Sequence, residues 1–278
     1  MRHEDFPTLD MIEQDAPQAT RLEIRSLSKT YGPEGQGNEV LRDISFVVQA
    51  GEFVCLVGPS GAGKTTLLRC LTRLMSPTSG EILLDGKRLT GPSSKISVVF
   101  QEYTRSLMPW MTAEKNVALA LHNHRLPAQE EKRLCRQALA SVGLAGSEAR
   151  YPWQLSGGMQ QRVAIARALV TEPEVLIMDE PFASIDAQTK MELEDLTLSL
   201  QRSRKMTVIL VTHDIDEAVY LSDRVVVLSK NPASVQEIVS VGLGTERDQL
   251  TSRESHLFGE LRSRILGLIR KSQLAAKA

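Results

Sequence analysis

The chain is short of several features that mark other protein classes. Its three cysteines, Cys55, Cys70 and Cys135, are odd in number and show no CxxC spacing. That excludes a disulfide framework and a cysteine zinc site, fits a reducing compartment, and leaves the thiols as small core residues. There is no basic excess: 33 Lys and Arg stand against 34 Asp and Glu, for a formal net charge of −1. The electrostatic footprint of a nucleic-acid binder is missing, and no nucleic acid is expected as a partner. No run approaches the roughly eighteen apolar residues of a membrane span. The first residues, MRHEDFPTLDMIEQDAP, are acidic where a secretory signal is basic and then apolar. The expectation is a cytoplasmic protein that meets a membrane only through partners. Internal repeats and low-complexity tracts are also missing.

What is present begins with room for a core: 278 residues, 42% of them hydrophobic, suffice for one large domain or a domain with a lobe. Residues 1–20 carry Pro7 and Pro17 and no sustained apolar period, so they read as a flexible tail, with the fold starting near Arg21. Short apolar runs then recur, each ending at a polar group. FVCLV (53–57) leads into Gly58, ISVVF (96–100) into Gln101, VLIM (175–178) into Asp179 and VILVT (208–212) into His213. Such runs suit strands buried on both faces of a parallel sheet, and ligands of these sheets bind beyond the carboxyl ends of the strands. The segments 22–31 and 40–51 alternate apolar with polar, as half-buried antiparallel strands do. Between Thr112 and Gly143 the period turns helical, with Pro127 near a helix start and Gly143 just past an end. The expected organisation is a main domain over 21–230, with a helical lobe inserted over about 104–160, and a C-terminal extension over 231–278. The extension ends in a helix, 256–274, that puts Leu257, Leu261, Ile265, Leu268 and Ile269 on one face.

The chemistry-bearing stretch is GPSGAGKTT, Gly58 to Thr66, which fits G-x-x-x-x-G-K-[ST] between an apolar strand and a helical pattern. Gly58, Pro59, Ser60, Gly61, Ala62 and Gly63 form a loop whose backbone N–H groups can close on phosphates; Lys64 reaches the β and γ groups, and Thr65 and Thr66 open the helix. Thr65 and Asp179 are the expected magnesium ligands of a bound Mg-ATP, with Glu180 as the candidate base for water. His213 is placed to contact a γ-phosphate or orient water, and Gln101 to ligate magnesium or hold water. The ring of Tyr31 either stacks on adenine or belongs to a half-buried core. A second glycine-rich helix start, LSGGMQQR, offers Ser156 as N-cap with Gly157 and Gly158 beside it. It reads as another anion cradle, without a lysine, or as a plain helix start packing through Val163, Ile165 and Leu169.

In order and spacing, GPSGAGKT, Gln101, LSGGMQQR, VLIMDEP, the Asp186 loop and His213 resemble the ATP-binding subunits of ABC transporters over about Leu22 to Ser229. The resemblance implies an α/β fold: a P-loop NTPase (RecA-like) core with an antiparallel β subdomain and an inserted α-helical subdomain. It also implies a head-to-tail dimer, expected to be a homodimer, in which each ATP lies between the P-loop of one subunit and the LSGG helix of the other. By that resemblance Tyr31 stacks adenine; Thr65, Gln101 and Asp179 meet magnesium; Glu180 is the general base, His213 the γ-phosphate switch, and Asp186 the residue linking the two sites.

VVFQEY, LMPW (107–110), YPWQLSGGMQQR, DAQT and THDIDEAVYLSDRV resemble the nitrate, sulfonate and taurine importer branch. That implies transmembrane permease subunits, an external solute-binding protein, and residence on the cytoplasmic face of a bacterial inner membrane. Met108 and Trp110 are then expected in the groove that receives a permease helix. Ala183-Ser184-Ile185-Asp186 departs from the more usual Ser-Ala-Leu-Asp but keeps the aspartate, and the stretch from Gln101 to Trp110 is longer than in many relatives. Two rival readings fare worse. A soluble ABC-type ATPase acting on DNA or ribosomes would bring a long coiled coil or a second domain, and a P-loop kinase or GTPase would leave LSGGMQQR without a use and lacks NKxD.

Overall fold

A strand that is apolar on both faces holds only between two packed layers; the runs 53–57, 175–178 and 208–211 find them, whereas 96–100 lies at the edge of its sheet with Ile96, Ser97 and Val98 half-buried and Phe100 44% exposed. The computed structural model describes residues 19–33, 37–101, 106–183 and 185–275. The expected tail before residue 19, and residues 102–105 of the stretch leading to Trp110, lie outside the described residues. In chain order the first strands are β1 (Thr20–Tyr31), β2 (Asn38–Gln49) and β3 (Phe53–Val57), followed by helix α1 (Lys64–Leu71). Then come β4 (Ser79–Leu84), β5 (Lys87–Arg88) and β6 (Ile96–Val99), and the helices α2 (Ala113–Ala118), α3 (Ala128–Ser141) and α4 (Gly157–Leu169). The remainder is β7 (Val175–Asp179), α5 (Ala187–Arg204), β8 (Thr207–Val211), α6 (Ile215–Leu221), β9 (Arg224–Leu228), β10 (Val235–Ser240), α7 (Thr251–Glu254) and α8 (His256–Ala275).

Two sheets result: an antiparallel one in the order β2-β1-β4-β5, and a six-stranded one in the order β10-β9-β3-β8-β7-β6. In the larger sheet β9, β3, β8, β7 and β6 run parallel, and β10 closes one edge antiparallel. Side chains alternate across it. Val54 and Leu56 enter a core shared with α1 and the smaller sheet, whereas Cys55 and Val57 enter one shared with α4, α6 and α8. The three thiols are fully buried, as expected. The smaller sheet and the helices α2 to α4 fill the places that the alternating and helical segments predicted. Pro127 caps α3, and Gly143 just beyond it adopts a left-handed φ of 75°.

Three boundaries differ from the sequence reading. Asp179 belongs to β7, because it still pairs with Val211. The fourth apolar run starts one residue early, at Thr207, whose hydroxyl accepts the Gly51 N–H at 3.0 Å and so belongs to the fold's interior. On α8 the inward face is Phe258, Leu261 and Ile265; Leu257 is 41% exposed, and Leu268 and Ile269 are only partly covered. The helix sits against α6, β9 and β10; Leu261, Ile265, Leu268 and Ile269 pack on the core as expected, and Phe258 takes the place expected for Leu257.

Candidate active site

The phosphate loop follows the carboxyl end of β3, and its geometry demands glycine. A Cβ on Gly58 would lie 3.0 Å from the Leu228 carbonyl oxygen, and Gly61 and Gly63 have left-handed φ values of 76° and 72°. Gly63 caps α1 without any side-chain hydrogen bond. The first N–H groups of that helix therefore point outward unpaired, where backbone donors and helix dipole favour an anion. They face a cleft of about 600 Å³ lined by residues 60–66 with Val40, Glu180 and His213. Lys64 is 8% exposed, and its ammonium donates to the carbonyl oxygens of Gly58 at 2.9 Å and Pro59 at 3.3 Å. Burial lowers its pKa, while Glu180 and Asp179 pull the other way.

The ends of three strands converge beside this loop. Asp179 is 5% exposed; burial and the neighbouring Glu180 push its carboxyl up, and a hydrogen bond from Thr65 and the charge of Lys64 hold it down. Glu180 has a left-handed φ of 43° with its N–H fixed on the Val211 carbonyl at 2.8 Å. For a non-glycine residue this conformation costs roughly 1 kcal/mol or more, and such costs gather at functional sites. One oxygen, Glu180 Oε2, accepts from Gln101 Nε2 at 3.1 Å and lies 3.1 Å from His213 Nδ1. Three residues read separately from the sequence thus meet at one carboxylate atom. The Thr65 hydroxyl, the Gln101 amide oxygen and the Asp179 carboxylate are all hard donors, the kind that suits a divalent cation carried in on phosphates. Among the described residues there is no group of three or more His, Cys, Asp or Glu able to cage a metal alone.

Of the two readings of Tyr31, the half-buried core one does not hold. The ring is 39% exposed, its hydroxyl lies 3.3 Å from Thr66 Oγ1, and Lys29 Nζ sits 5.5 Å from its centroid. Trp110, at 70% exposed, is a surface residue and not a core one.

The second cradle stands apart. Ser156 caps α4 by accepting the Met159 N–H at 3.3 Å, and Val163, Ile165 and Leu169 pack inward. Neither Ser156, Gly157, Gly158 nor Asp186 lines the phosphate cleft of its own chain. Asp186 caps α5, accepting the Thr189 N–H at 3.0 Å, and that backbone bond keeps its carboxyl below the usual range. The two helix starts touch: a Cβ on Gly158 would fall 2.3 Å from Thr189 Cγ2. Sequence reasoning missed this contact, and also Val40 in the cleft wall and a set of charges behind His213. Asp214 caps α6 and accepts from Lys190 at 2.6 Å, and Lys190 also reaches Glu217 at 3.1 Å. Lys190 therefore ties α5, which begins after Asp186, to α6, which begins after His213. An Asp following a strand was a readable N-cap signal; the lysine tie had none.

A family model described as ABC transporter matches residues 41–183. An uncharacterised ABC transporter ATP-binding protein of Methanocaldococcus jannaschii is 45% identical over 265 residues, which is 95% of this chain and 97% of that one. The aliphatic sulfonates import ATP-binding protein of Bacillus licheniformis is 42% identical over 245 residues, 88% of this chain and 92% of its own. Among solved structures, a dimeric ATP-binding cassette in a post-hydrolysis state with ADP and Pi superimposes with a TM-score of 0.69 at 31% identity. It covers 79% of this chain and 98% of its own. With a phosphate loop, a carboxylate pair and a detached LSGG helix in this arrangement, and relatives that span nearly its whole length, the chain belongs to the ABC transporter family as an ATP-binding, ATP-hydrolysing cassette.

Proposed function

We propose that this cassette powers the uptake of a small anionic solute of the sulfonate, nitrate or taurine kind, as the ATPase subunit of an importer that works as a head-to-tail homodimer. The observation that carries the dimer is the separation of the two cradles. The LSGG start has a cap and open backbone donors, yet it is not part of its own chain's phosphate cleft. A second copy is its natural counterpart, and the related dimeric cassette with ADP and Pi supports that stoichiometry. For the importer and its anionic cargo, the support is the sulfonate-import relative.

In this reading, ATP enters the cleft with adenine against Tyr31 and its phosphates on the backbone N–H groups from Ser60 to Thr66. Lys64 releases the Gly58 and Pro59 carbonyls for the β and γ groups. The residues fit magnesium, with Thr65, Gln101 and Asp179 to hold it, and the bound ion would neutralise charge that develops on the phosphates. Glu180 takes the proton of the attacking water. Gln101 and His213 steer the oxygen that takes it, and His213 senses the γ-phosphate. Ser156, Gly157 and Gly158 grip the same γ-phosphate from the partner subunit, with Asp186 beside them. A γ-phosphate held from both sides favours the closed dimer, and its loss removes that preference.

The ATPase domain is taken as 21–230, with the helical subdomain over about 104–160 and the extension over 231–278. Permease subunits dock around Met108 and Trp110, and an external solute-binding protein completes the complex. The cassette then resides on the cytoplasmic face of a bacterial inner membrane, held there by the permease; among the described residues no helix is long and apolar enough to cross it. Glu180→Gln tests the mechanism. It keeps the shape of the side chain and removes the base, so ATP binding persists, turnover falls by at least about 10²-fold, and light scattering detects a Mg-ATP-dependent dimer. Wild-type turnover in this variant would remove the base assignment. A multi-span membrane protein recovered in stoichiometric amount with the tagged cassette supports the importer; soluble partners alone would exclude it.

A further inference from the structure

A second cleft lies at the opposite edge of the large sheet. It is bounded by the starts of β3 and β9, the last turns of α5 and the extension around Gly244 to Arg247, and encloses about 390 Å³. α5 runs from Asp186 towards it, and the residues it contributes, Leu198, Gln201 and Arg202, lie about 18–24 Å from the Asp186 end of that helix. Its walls are partly apolar, with Phe53, Leu198 and Leu221 each almost fully buried.

The charges in this cleft do not balance. Glu52 is matched by Arg224, which donates to it from Nη2 at 2.8 Å and again from Nε. That leaves two guanidiniums, Arg202 and Arg247, and one carboxylate, Asp223. The Arg247 side chain is 3% exposed. Its Nη1 donates to the Tyr220 carbonyl at 2.6 Å and its Nε to the Gly244 carbonyl at 3.1 Å. Among the described residues its Nη2 has only Asp223 Oδ1, at 3.5 Å, beyond the usual span of an N–H···O bond. Asp223 is half exposed, and its other oxygen is engaged by the Phe53 N–H at 2.8 Å. Arg202 lines the same cleft and, among the described residues, has no carboxylate within ion-pair distance. Burial lowers the pKa of Arg247; the charge of Asp223 works against this and that of Arg202 adds to it. A buried guanidinium with one poorly matched nitrogen, beside a second unmatched one, favours an acceptor-rich guest with planar oxygens.

We propose that this cleft is a binding site for a small organic oxyanion, a carboxylate, sulfonate or phosphate ester, gripped between Arg202 and Arg247 with its short apolar part against Phe53, Leu198 and Leu221. Occupancy fastens the extension to the far end of α5, away from the nucleotide.

The test uses the full chain with the phosphate loop held by saturating Mg-ADP; sulfate bound at the γ-phosphate position or at the LSGG helix start is common to the wild type and the variant, so the difference between them reports the second cleft. Thermal unfolding is followed as sodium sulfate replaces sodium chloride at constant ionic strength, in the wild-type protein and in Arg202→Gln. Arg202 is exposed and outside the ATPase machinery, so the variant folds and hydrolyses ATP normally. Sulfate's general stabilising effect is common to both proteins and cancels in the difference. With sulfate at about ten times its dissociation constant, the wild-type midpoint rises about 3 °C or more above that common effect, and Arg202→Gln weakens the apparent affinity about tenfold. An equal sulfate response in the two proteins would overturn the site. So would a wild-type response no larger than that to chloride. Neither outcome depends on ATP turnover or transport.

Discussion

Gly158→Ala probes the contact between the two helix starts. The new methyl carbon would fall 2.3 Å from Thr189 Cγ2, where carbon atoms rest at about 3.5–4.0 Å. More than an ångström must therefore come from moving α4 away from α5 or from turning Thr189 off its rotamer. Overpacking of this kind costs about 1–3 kcal/mol. Gly158 is not among the left-handed glycines, so alanine returns part of that cost, up to about 1 kcal/mol, through its better helix propensity. The net loss is about 1–2 kcal/mol, which lowers the midpoint by about 2–8 °C at 2–4 °C per kcal/mol for a domain of this size. Thr189→Ser removes Cγ2 and keeps the hydroxyl oxygen, which lies 4.0 Å from the new methyl. The double variant Gly158→Ala/Thr189→Ser therefore unfolds close to the wild-type temperature. Calorimetry of the nucleotide-free proteins decides it: a wild-type midpoint for Gly158→Ala, or a double variant no better than the single, refutes the contact.

Lys64→Ala removes the cation beside the phosphate cleft and weakens ATP binding at least tenfold, as read by equilibrium dialysis; unchanged affinity contradicts the phosphate-loop assignment. Trp110→Glu leaves the ATPase rate of the isolated cassette unaltered and abolishes its stimulation by the reconstituted permease; a parallel loss of both would place Trp110 in the fold, not in the docking surface. Glu217 is 3% exposed, and burial pushes its carboxyl up to about 7 against the pull of Lys190. The folded state then holds that proton more tightly than the unfolded one, so this group favours folding at low pH, and the contribution is lost as pH rises from about 4.5 to about 7. Glu217→Gln should gain stability relative to wild type on going from about pH 5 to about pH 8, by up to roughly 3 kcal/mol; a gain that shrinks over that interval sinks the reasoning.

The sheet edge was legible because its strands are apolar on both faces and end abruptly at Gly58, Gln101, Asp179 and His213, a pattern that needs no tertiary information. Ser156 and Pro127 were legible for a similar reason, since capping is local. What escaped depends on contacts distant in sequence. Nothing near Gly158 announces Thr189, and nothing near Lys190 announces that it will tie the helix after Asp186 to the helix after His213. One position of the α8 stripe was misread because 3.6-residue periodicity alone does not say which neighbours the helix will meet, and here Phe258 met them in place of Leu257. The exposure of Tyr31 is likewise a property of the edge it occupies and not of its strand pattern.

The two contacts on Glu180 Oε2 work as a pair. One oxygen of the proposed base already has an amide on one side and an imidazole on the other, and together they fix the plane of the carboxylate before any water is attacked. Whatever draws Gln101 or His213 towards a γ-phosphate would therefore also turn Glu180, so in the proposed mechanism the same pair of side chains couples the aim of the base to the nucleotide.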